Sequence, residues 1–235
     1  MADLSAYPSP NRGPRRLGAL PDLVVIHYTA MASCAEAEAR LCDAQAEVSA
    51  HYLISERGDI LPLVPEELRA WHAGAGSWGA CSDVNSRSIG IELANRGTEP
   101  FAEAQMAALE RLLADILHRW QIPPERVIGH SDMAPARKSD PGPRFDWRRL
   151  ALAGLAVWPA DEVAADTAQG LAADARAFTE DARAFGYGDL TPDLVLAAFR
   201  QRFRPWATGP QDAQDAALIA DLAARFPVDA RPARS

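Results

Sequence analysis

The chain has 235 residues, a length that suits one main domain and a small appendage. Hydrophobic residues make up 48% of it and charged residues 24%, the balance of a globular protein with a buried core. The formal net charge of -8 argues against a surface built to bind a phosphate backbone, so we expect no nucleic-acid partner. No uninterrupted run of about 18 apolar residues occurs, so we also expect no membrane span.

The first twenty residues bear on the cellular location of the protein. They contain no apolar segment of about 7 to 15 residues such as a signal peptide carries. No cysteine near this end is available to take a lipid. We therefore expect a cytoplasmic protein, and the periplasm is the alternative if a leader was removed.

The first predicted elements are a strand and a helix. The continuous apolar run over 23–28 is too short for a helix and predicts a central strand buried on both faces. Ser33 and Glu36 have the spacing of a capping box, which predicts a helix over 35–47.

A hairpin and a long loop are predicted next. Segments 51–54 and 60–64 flank a turn signal, and Pro62 places the second strand at the edge of a sheet. The stretch over 69–87 is rich in loop-forming residues and is predicted to have little regular structure.

Large apolar residues occupy every second position of segment 88–93. In a strand they would share one face, while Gly90 and Glu92 would share the other. Apolar residues then recur at helical spacing over 101–120, and a short strand is predicted over 126–129. Strands that alternate with helices indicate an α/β fold with a mixed central β-sheet flanked by helices.

The composition shifts to Ala, Asp and Arg beyond Val157, with few β-branched residues. We therefore divide the chain into a main domain over 1–157 and a small C-terminal three-helix module over 158–235. The module's predicted helices lie at roughly 164–185, 191–203 and 211–226. So small a core is marginal by itself, so the module should pack against its neighbour.

Candidate metal ligands follow two of the predicted strands. His27 ends the first strand, His130 follows the short strand, and Asp140 lies ten residues further on in a loop rich in Pro and Gly. Two imidazoles and a carboxylate are a ligand set for catalytic zinc, with a fourth position left for water. Spacing alone leaves the alternative open that His27 is a hydrogen-bonded core residue.

Five segments appear in the chain in the order VVIHYTA, VSAHYLIS, AWHAG, SIGIELAN and IGHSDMAPARKSDPGPRFDW. This series resembles zinc-dependent N-acetylmuramoyl-L-alanine amidases of the AmiD and AmpD type, which have the peptidoglycan-recognition-protein fold. The resemblance covers roughly residues 8–150. It implies that His27, His130 and Asp140 bind Zn²⁺. It also implies that Glu92 is the catalytic acid/base and that Lys138 is the cation beside the metal.

The activity implied by the resemblance is hydrolysis of the amide bond between N-acetylmuramic acid, or its 1,6-anhydro form, and L-alanine of the stem peptide. Peptidoglycan fragments or muropeptides would be the substrates, in cell-wall turnover and recycling. Glu92 would pass a proton from water to the leaving nitrogen, and Lys138 would stabilise the oxyanion. The alternative is a non-catalytic peptidoglycan-binding protein of the same fold, although such receptors usually lack part of the zinc set.

Further residues are predicted to contact substrate. His51, Trp71, His72 and Asn85 are expected to line the sugar-peptide groove. Trp78 either flanks the cleft or belongs to a hydrophobic cluster within the loop. The C-terminal module resembles the one carried by AmiD-like amidases, and two roles stay open for it, peptidoglycan binding and capping of the catalytic domain.

Overall fold

A computed structural model of the protein describes residues 6–160 and 175–229. The strands of this described part, in chain order, are β1 (Arg12–Pro14), β2 (Leu23–Tyr28), β3 (Tyr52–Ile54), β4 (Ile60–Pro62), β5 (Leu68–Ala70), β6 (Ser88–Leu93) and β7 (Val127–Gly129). Its helices are α1 (Cys34–Leu41), α2 (Val84–Arg87), α3 (Glu103–Trp120), α4 (His130–Met133), α5 (Trp147–Leu152), α6 (Ala175–Phe185), α7 (Pro192–Phe203) and α8 (Ala213–Arg225).

A five-stranded mixed sheet forms the centre, in the spatial order β4-β3-β6-β2-β7. Strand β2 pairs in parallel with β6 and β7, β3 pairs in parallel with β6, and β4 runs antiparallel to β3. The predicted mixed sheet is confirmed, and β4 lies at an edge, where Pro62 cannot disturb a second ladder.

The stretch over 69–87 has more regular structure than predicted. Strand β5 begins just before it and pairs with β1 in a separate two-stranded antiparallel sheet, and α2 ends it. The sequence gives little sign of either strand, because each has only three residues and gains its order from the other.

Each face of the sheet packs against a different set of helices. Helix α3 covers one face with the apolar side predicted from its spacing, and Val24, Ile26 and Ile91 of the central strands pack against it. Leu23 and Val25 face the opposite side, toward the C-terminal helices. Because side chains alternate along a strand, His27 and Glu92 belong to this second side.

Helix α1 is shorter than the predicted 35–47. Ser33 caps its start, where the Ser33 hydroxyl accepts a bond from the Glu36 N–H at 3.2 Å. The helix ends at Leu41, and a 3₁₀ turn follows because the Asp43 carboxylate accepts the Gln45 N–H at 2.9 Å. A local side-chain bond of this kind competes with helix propagation.

The C-terminal helices share one hydrophobic core with the sheet domain. Phe178, Phe185 and Phe199 of these helices belong to the same buried cluster as Trp78 and Val25. The predicted second and third helices are confirmed as α7 and α8, and the part of the first over 164–174 lies outside the described residues. The division at residue 157 stays a prediction. No helix in the described ranges is long and apolar enough to cross a membrane.

Candidate metal centre

Two neighbouring parallel strands carry polar side chains to the same edge of the sheet. His27 of β2 and Glu92 of β6 are register partners, near the carboxyl ends of their strands. His130 follows β7, on the other side of β2, as the first residue of α4. The carboxyl ends of parallel strands are where α/β sheets usually bind ligands.

Asp140 completes a cluster with the two histidines. Its Oδ2 lies 2.8 Å from His27 Nδ1 and 3.0 Å from His130 Nδ1. One ligand atom from each residue lies within 4.8 Å of the others, and all three residues are buried. The three residues predicted as metal ligands are therefore brought together.

The orientation of His27 follows from a chain of hydrogen bonds behind it. The Ser88 hydroxyl lies 2.6 Å from the Val84 carbonyl, which can only accept, so Ser88 donates there. Ser88 Oγ then accepts from His72 Nε2–H at 3.1 Å. His72 Nδ1, left with its lone pair, accepts from His27 Nε2–H at 3.0 Å. In the neutral His27 ring, the lone pair of Nδ1 therefore faces Asp140.

His130 is oriented by the backbone. Its Nε2–H donates to the Ala73 carbonyl at 2.9 Å, so the neutral ring also turns the lone pair of Nδ1 toward Asp140. Burial, followed by the electrostatic interaction with His130, lowers the pKa of His27 to about 4, which keeps the His27 ring neutral. Two lone pairs and a carboxylate oxygen at these distances repel one another unless a cation lies between them. The donor set thus fits a bound metal ion.

Glu92 lies beside this cluster, because it is the register partner of His27 on the neighbouring strand. Its Oε2 is buried, and none of the described residues forms a hydrogen bond with it. Burial, followed by the negative charge of Asp140, raises the pKa of Glu92 to about 8, while Lys138 opposes that rise. A carboxyl group with a pKa near neutrality can both accept and release a proton.

Gly90 keeps space open on the face that carries Glu92. A Cβ atom at Gly90 would lie 2.4 Å from Cγ of the His72 ring. The absence of a side chain at this strand position therefore lets His72 reach His27, as well as clearing the face as predicted.

A cavity of about 400 Å³ opens above the cluster. Four predicted site residues outside the cluster line it: Glu92, Trp71, His72 and the exposed Lys138. The sequence did not single out Arg137, Tyr28 or Arg40, which also line it. For Arg137 the only available signal was its place in the segment ARKSDP, beside Lys138.

Arg137 fixes the loop that orients His130. Its Nε–H donates to the Ala75 carbonyl at 2.8 Å, and its guanidinium also donates to the Ala73 carbonyl. The Ala73 carbonyl is the acceptor for His130 Nε2–H, so Arg137 supports one candidate ligand through the backbone.

The positions of His51 and Asn85 correct the prediction that they line the groove. Both are buried beneath the cavity and neither lines it. His51 accepts from the Gly90 N–H at 2.9 Å and donates to the Leu68 carbonyl at 3.1 Å, so backbone groups use both ring nitrogens. Asn85 Oδ1 accepts the N–H groups of His72 and Ala73, which shapes the segment that carries His72.

Trp78 belongs to the hydrophobic cluster and not to the cleft. Its indole is fully buried, with ring centroids 5.4 Å from Phe185 and 5.2 Å from Tyr187. A Cβ atom at Gly186 would lie 2.3 Å from the Trp78 ring, so Gly186 permits this packing. Trp78 therefore joins the loop over 69–87 to the C-terminal helices.

Sequence comparison finds relatives over most of the chain. A family model described as N-acetylmuramoyl-L-alanine amidase matches residues 17–143. The chain is 38% identical over 235 residues to the N-acetylmuramoyl-L-alanine amidase AmiD of Escherichia coli K12, covering 88% of this chain and 84% of that protein. It is 42% identical over 107 residues to the 1,6-anhydro-N-acetylmuramyl-L-alanine amidase AmpD of Citrobacter freundii, covering 46% of this chain and 57% of that one.

Structural comparison extends the likeness to the C-terminal helices. E. coli AmiD, in a complex with anhydro-N-acetylmuramic acid-L-Ala-D-gamma-Glu-L-Lys, superposes with a TM-score of 0.80 and 36% identity, covering 96% of this chain and 93% of that chain. AmpDh3 of Pseudomonas aeruginosa, in a complex with an anhydromuramic pentapeptide, superposes with a TM-score of 0.79 and 32% identity, covering 97% of this chain and 99% of that chain.

Proposed function

We propose a reaction for this chain, which belongs to the N-acetylmuramoyl-L-alanine amidase family: zinc-assisted hydrolysis of the amide bond between the lactyl group of muramic acid and L-alanine. The observation that carries the proposal is the convergence of two histidine lone pairs and one carboxylate oxygen beside a buried carboxyl group, Glu92. This convergence lies on the floor of a cavity large enough for a sugar-peptide junction.

Zinc is the metal proposed for His27, His130 and Asp140. Two imidazole nitrogens and a carboxylate oxygen suit Zn²⁺, and a set of three protein ligands would leave a fourth position for water or substrate. When bound, zinc supplies Lewis acidity toward the lactyl carbonyl and makes the attacking water more acidic. The hydrogen bonds of His72 and of the Ala73 carbonyl hold the two rings in the tautomer that binds metal.

Glu92 is the proposed proton carrier. It takes a proton from the attacking water, whose oxygen forms a bond to the lactyl carbonyl carbon. It then returns that proton to the L-alanine nitrogen as the carbon–nitrogen bond breaks. The products are a free lactyl carboxyl group on the sugar and a peptide with a free L-alanine amine. A pKa raised toward neutrality suits both halves of this transfer.

Lys138 is the proposed electrostatic partner of the reacting carbonyl. Its ammonium is exposed, lines the cavity and acts on the charges of Glu92 and His27. No hydrogen bond or ion pair within the described part of the chain engages its ammonium. It is therefore free to approach the negative charge that develops on the carbonyl oxygen.

We propose anhydro-muropeptides as substrates, because the structurally similar AmiD and AmpDh3 proteins were solved with anhydro-muramyl peptides bound. Intact sacculi supplied beside soluble anhydro-muropeptides would separate a recycling role from a wall-directed one. The cytoplasmic location expected from the sequence stays a prediction, and fractionation of cells that express the natural gene checks it.

The test combines metal analysis with cleavage of an anhydro-N-acetylmuramoyl peptide, followed by mass spectrometry. We expect one zinc per chain and release of the peptide with a free L-alanine amine. Glu92→Gln should keep the zinc and lose about 10² to 10⁴ in kcat. Glu56→Gln, the same change at an exposed hairpin position, is the matched control and should behave as wild type.

Two results would contradict the proposal. A wild-type protein that binds no zinc removes the metal site, and a Glu92→Gln variant as active as wild type removes the proton carrier. Wild-type protein that binds the muropeptide without cutting it would instead support the alternative of a non-catalytic peptidoglycan-binding protein.

A further inference from the structure

Helix α7 of the C-terminal module contacts the two segments that carry candidate metal ligands. Gln201 Nε2 donates to Ser131 Oγ at 2.8 Å and to the Ser139 carbonyl at 2.8 Å. Ser131 directly follows His130, and Ser139 directly precedes Asp140. One amide group from the far end of the chain therefore bridges the two ligand-bearing segments.

The next residue of the same helix holds the short helix that begins at His130. The Arg202 guanidinium is buried and donates to Asp132 Oδ2 at 2.8 Å and to the Val127 carbonyl at 3.1 Å. Asp132 Oδ2 also accepts the Gly129 N–H at 2.8 Å, which closes the first turn of α4. Tyr187, from the loop before α7, donates its hydroxyl to Asp132 Oδ1 at 3.0 Å.

Close packing surrounds the Arg202 guanidinium. The Arg202 guanidinium carbon lies 4.2 Å from the centroid of the Trp147 ring and 4.8 Å from that of Phe203. Aromatic residues of the module belong to the same buried cluster as Val25 and Trp78 of the sheet domain. Helix α7 therefore holds α4 through the buried ion pair of Arg202 with Asp132, and the same guanidinium packs on the ring of Trp147 in α5.

We infer that Gln201 is a positioning residue for the metal site, because its amide sets the separation between His130 and Asp140 through Ser131 and Ser139. The inference rests on the proposed function, since it takes those two residues as zinc ligands. Through Gln201 the C-terminal module would help to position the metal ligands. This role does not depend on whether the module binds peptidoglycan.

The amide is suited to this task. The Ser139 carbonyl can only accept, so the nitrogen of the Gln201 amide must face it, and its second N–H is directed to Ser131. The Ser131 N–H donates to the Asp140 carbonyl at 2.9 Å, so the two segments already meet once through the backbone. Gln201 adds a second connection on the side of the C-terminal module, so the two segments are joined at two points.

The test measures zinc affinity of the full chain by competition with a chelator. Gln201→Met keeps the size of the side chain and removes both donors, so we expect zinc affinity to fall about 10- to 100-fold. Gln201→Glu should weaken binding further, because its carboxylate repels the Ser139 carbonyl. Gln45→Met, the same change at an exposed turn residue, should keep wild-type affinity.

Stability of the metal-free protein separates positioning from a general loss of structure. We expect the Gln201→Met variant to remain folded without metal, with near-native circular dichroism, while kcat falls more than KM rises. A variant that binds zinc as tightly as wild type would overturn this inference, even if its melting temperature were lower. Wild-type protein that binds zinc and cleaves no muropeptide would contradict the proposed function alone.

Discussion

His27 Nε2 lies 3.0 Å from His72 Nδ1, and this contact sets the direction in which His27 offers its other nitrogen. The Val84 carbonyl can only accept a hydrogen bond, so it fixes the donor and acceptor roles of Ser88 and, through Ser88, those of His72. The carbonyl group of Val84 thereby determines which nitrogen of the His27 ring is free to bind a cation.

The first prediction concerns His72. His72→Leu leaves the N–H of His27 without its acceptor, so the metal-binding tautomer is no longer favoured. We expect zinc affinity to fall about 10- to 100-fold, measured by chelator competition at neutral pH. His118→Leu, at an exposed position near the end of α3, is the control and should retain wild-type affinity. Equal affinities for the His72 variant and wild type would refute the hydrogen-bond chain.

The second prediction concerns Gly90. Gly90→Ala places a methyl group 2.4 Å from the His72 ring, so His72 must move away from His27. We expect a loss of about 1–3 kcal/mol in the free energy of unfolding together with weaker zinc binding. Gly13→Ala adds the same methyl group to β1, where no atom lies within 4 Å, and should change neither quantity. Unchanged zinc binding in Gly90→Ala would show that the His72 contact is dispensable.

The third prediction concerns the pH dependence of stability in the metal-free protein. The pKa of Glu92 is raised from 4.5 to about 8 by burial and by Asp140. The unfolded chain releases this proton near the lower value and the folded chain holds it until the upper one. The free energy of unfolding should therefore fall as pH rises between the two values.

Glu92→Gln removes this titration. Relative to wild type, the variant should gain stability as pH rises through that window, as measured by urea unfolding at about pH 5 and about pH 8 with a chelator present. Glu56→Gln controls for the loss of one carboxylate at an exposed site. A difference between wild type and Glu92→Gln that stays constant with pH would rule out the raised pKa.

The fourth prediction concerns the buried ion pair between Arg202 and Asp132. Both side chains are almost fully buried, so Arg202→Met leaves an uncompensated carboxylate in the core. We expect the free energy of unfolding to fall by about 3–5 kcal/mol. Arg57→Met breaks an exposed pair with Asp59 and should cost less than about 0.5 kcal/mol in urea unfolding. Similar costs for the two variants would mean that the buried pair does not hold α7 on the domain.

The sequence predicted the parts of the site that depend on local pattern. His27 could be placed because an apolar run ends at it, and Glu92 because alternation sets it opposite Ile91 and Leu93. The family resemblance predicted that His130 and Asp140 join His27, and the structure brings the three together.

The rest of the site depends on contacts between distant parts of the chain. His51 looked like a groove residue, yet backbone groups of Gly90 and Leu68 occupy both its ring nitrogens. Gln201 sits in a helix whose pattern indicates only an amphipathic element, and its partners lie 70 and 62 residues away. Local periodicity carries no information about such pairings.

The most direct test of the central claim is cleavage of an anhydro-N-acetylmuramoyl peptide by the zinc-loaded protein in water enriched in heavy oxygen. Hydrolysis of the lactyl–alanine amide adds water oxygen to the sugar and only hydrogen to the peptide. Mass spectrometry should therefore find one heavy oxygen in the anhydro-muramic acid and none in the peptide that begins with L-alanine. Heavy oxygen in that peptide, or no cleavage at all, would contradict the account.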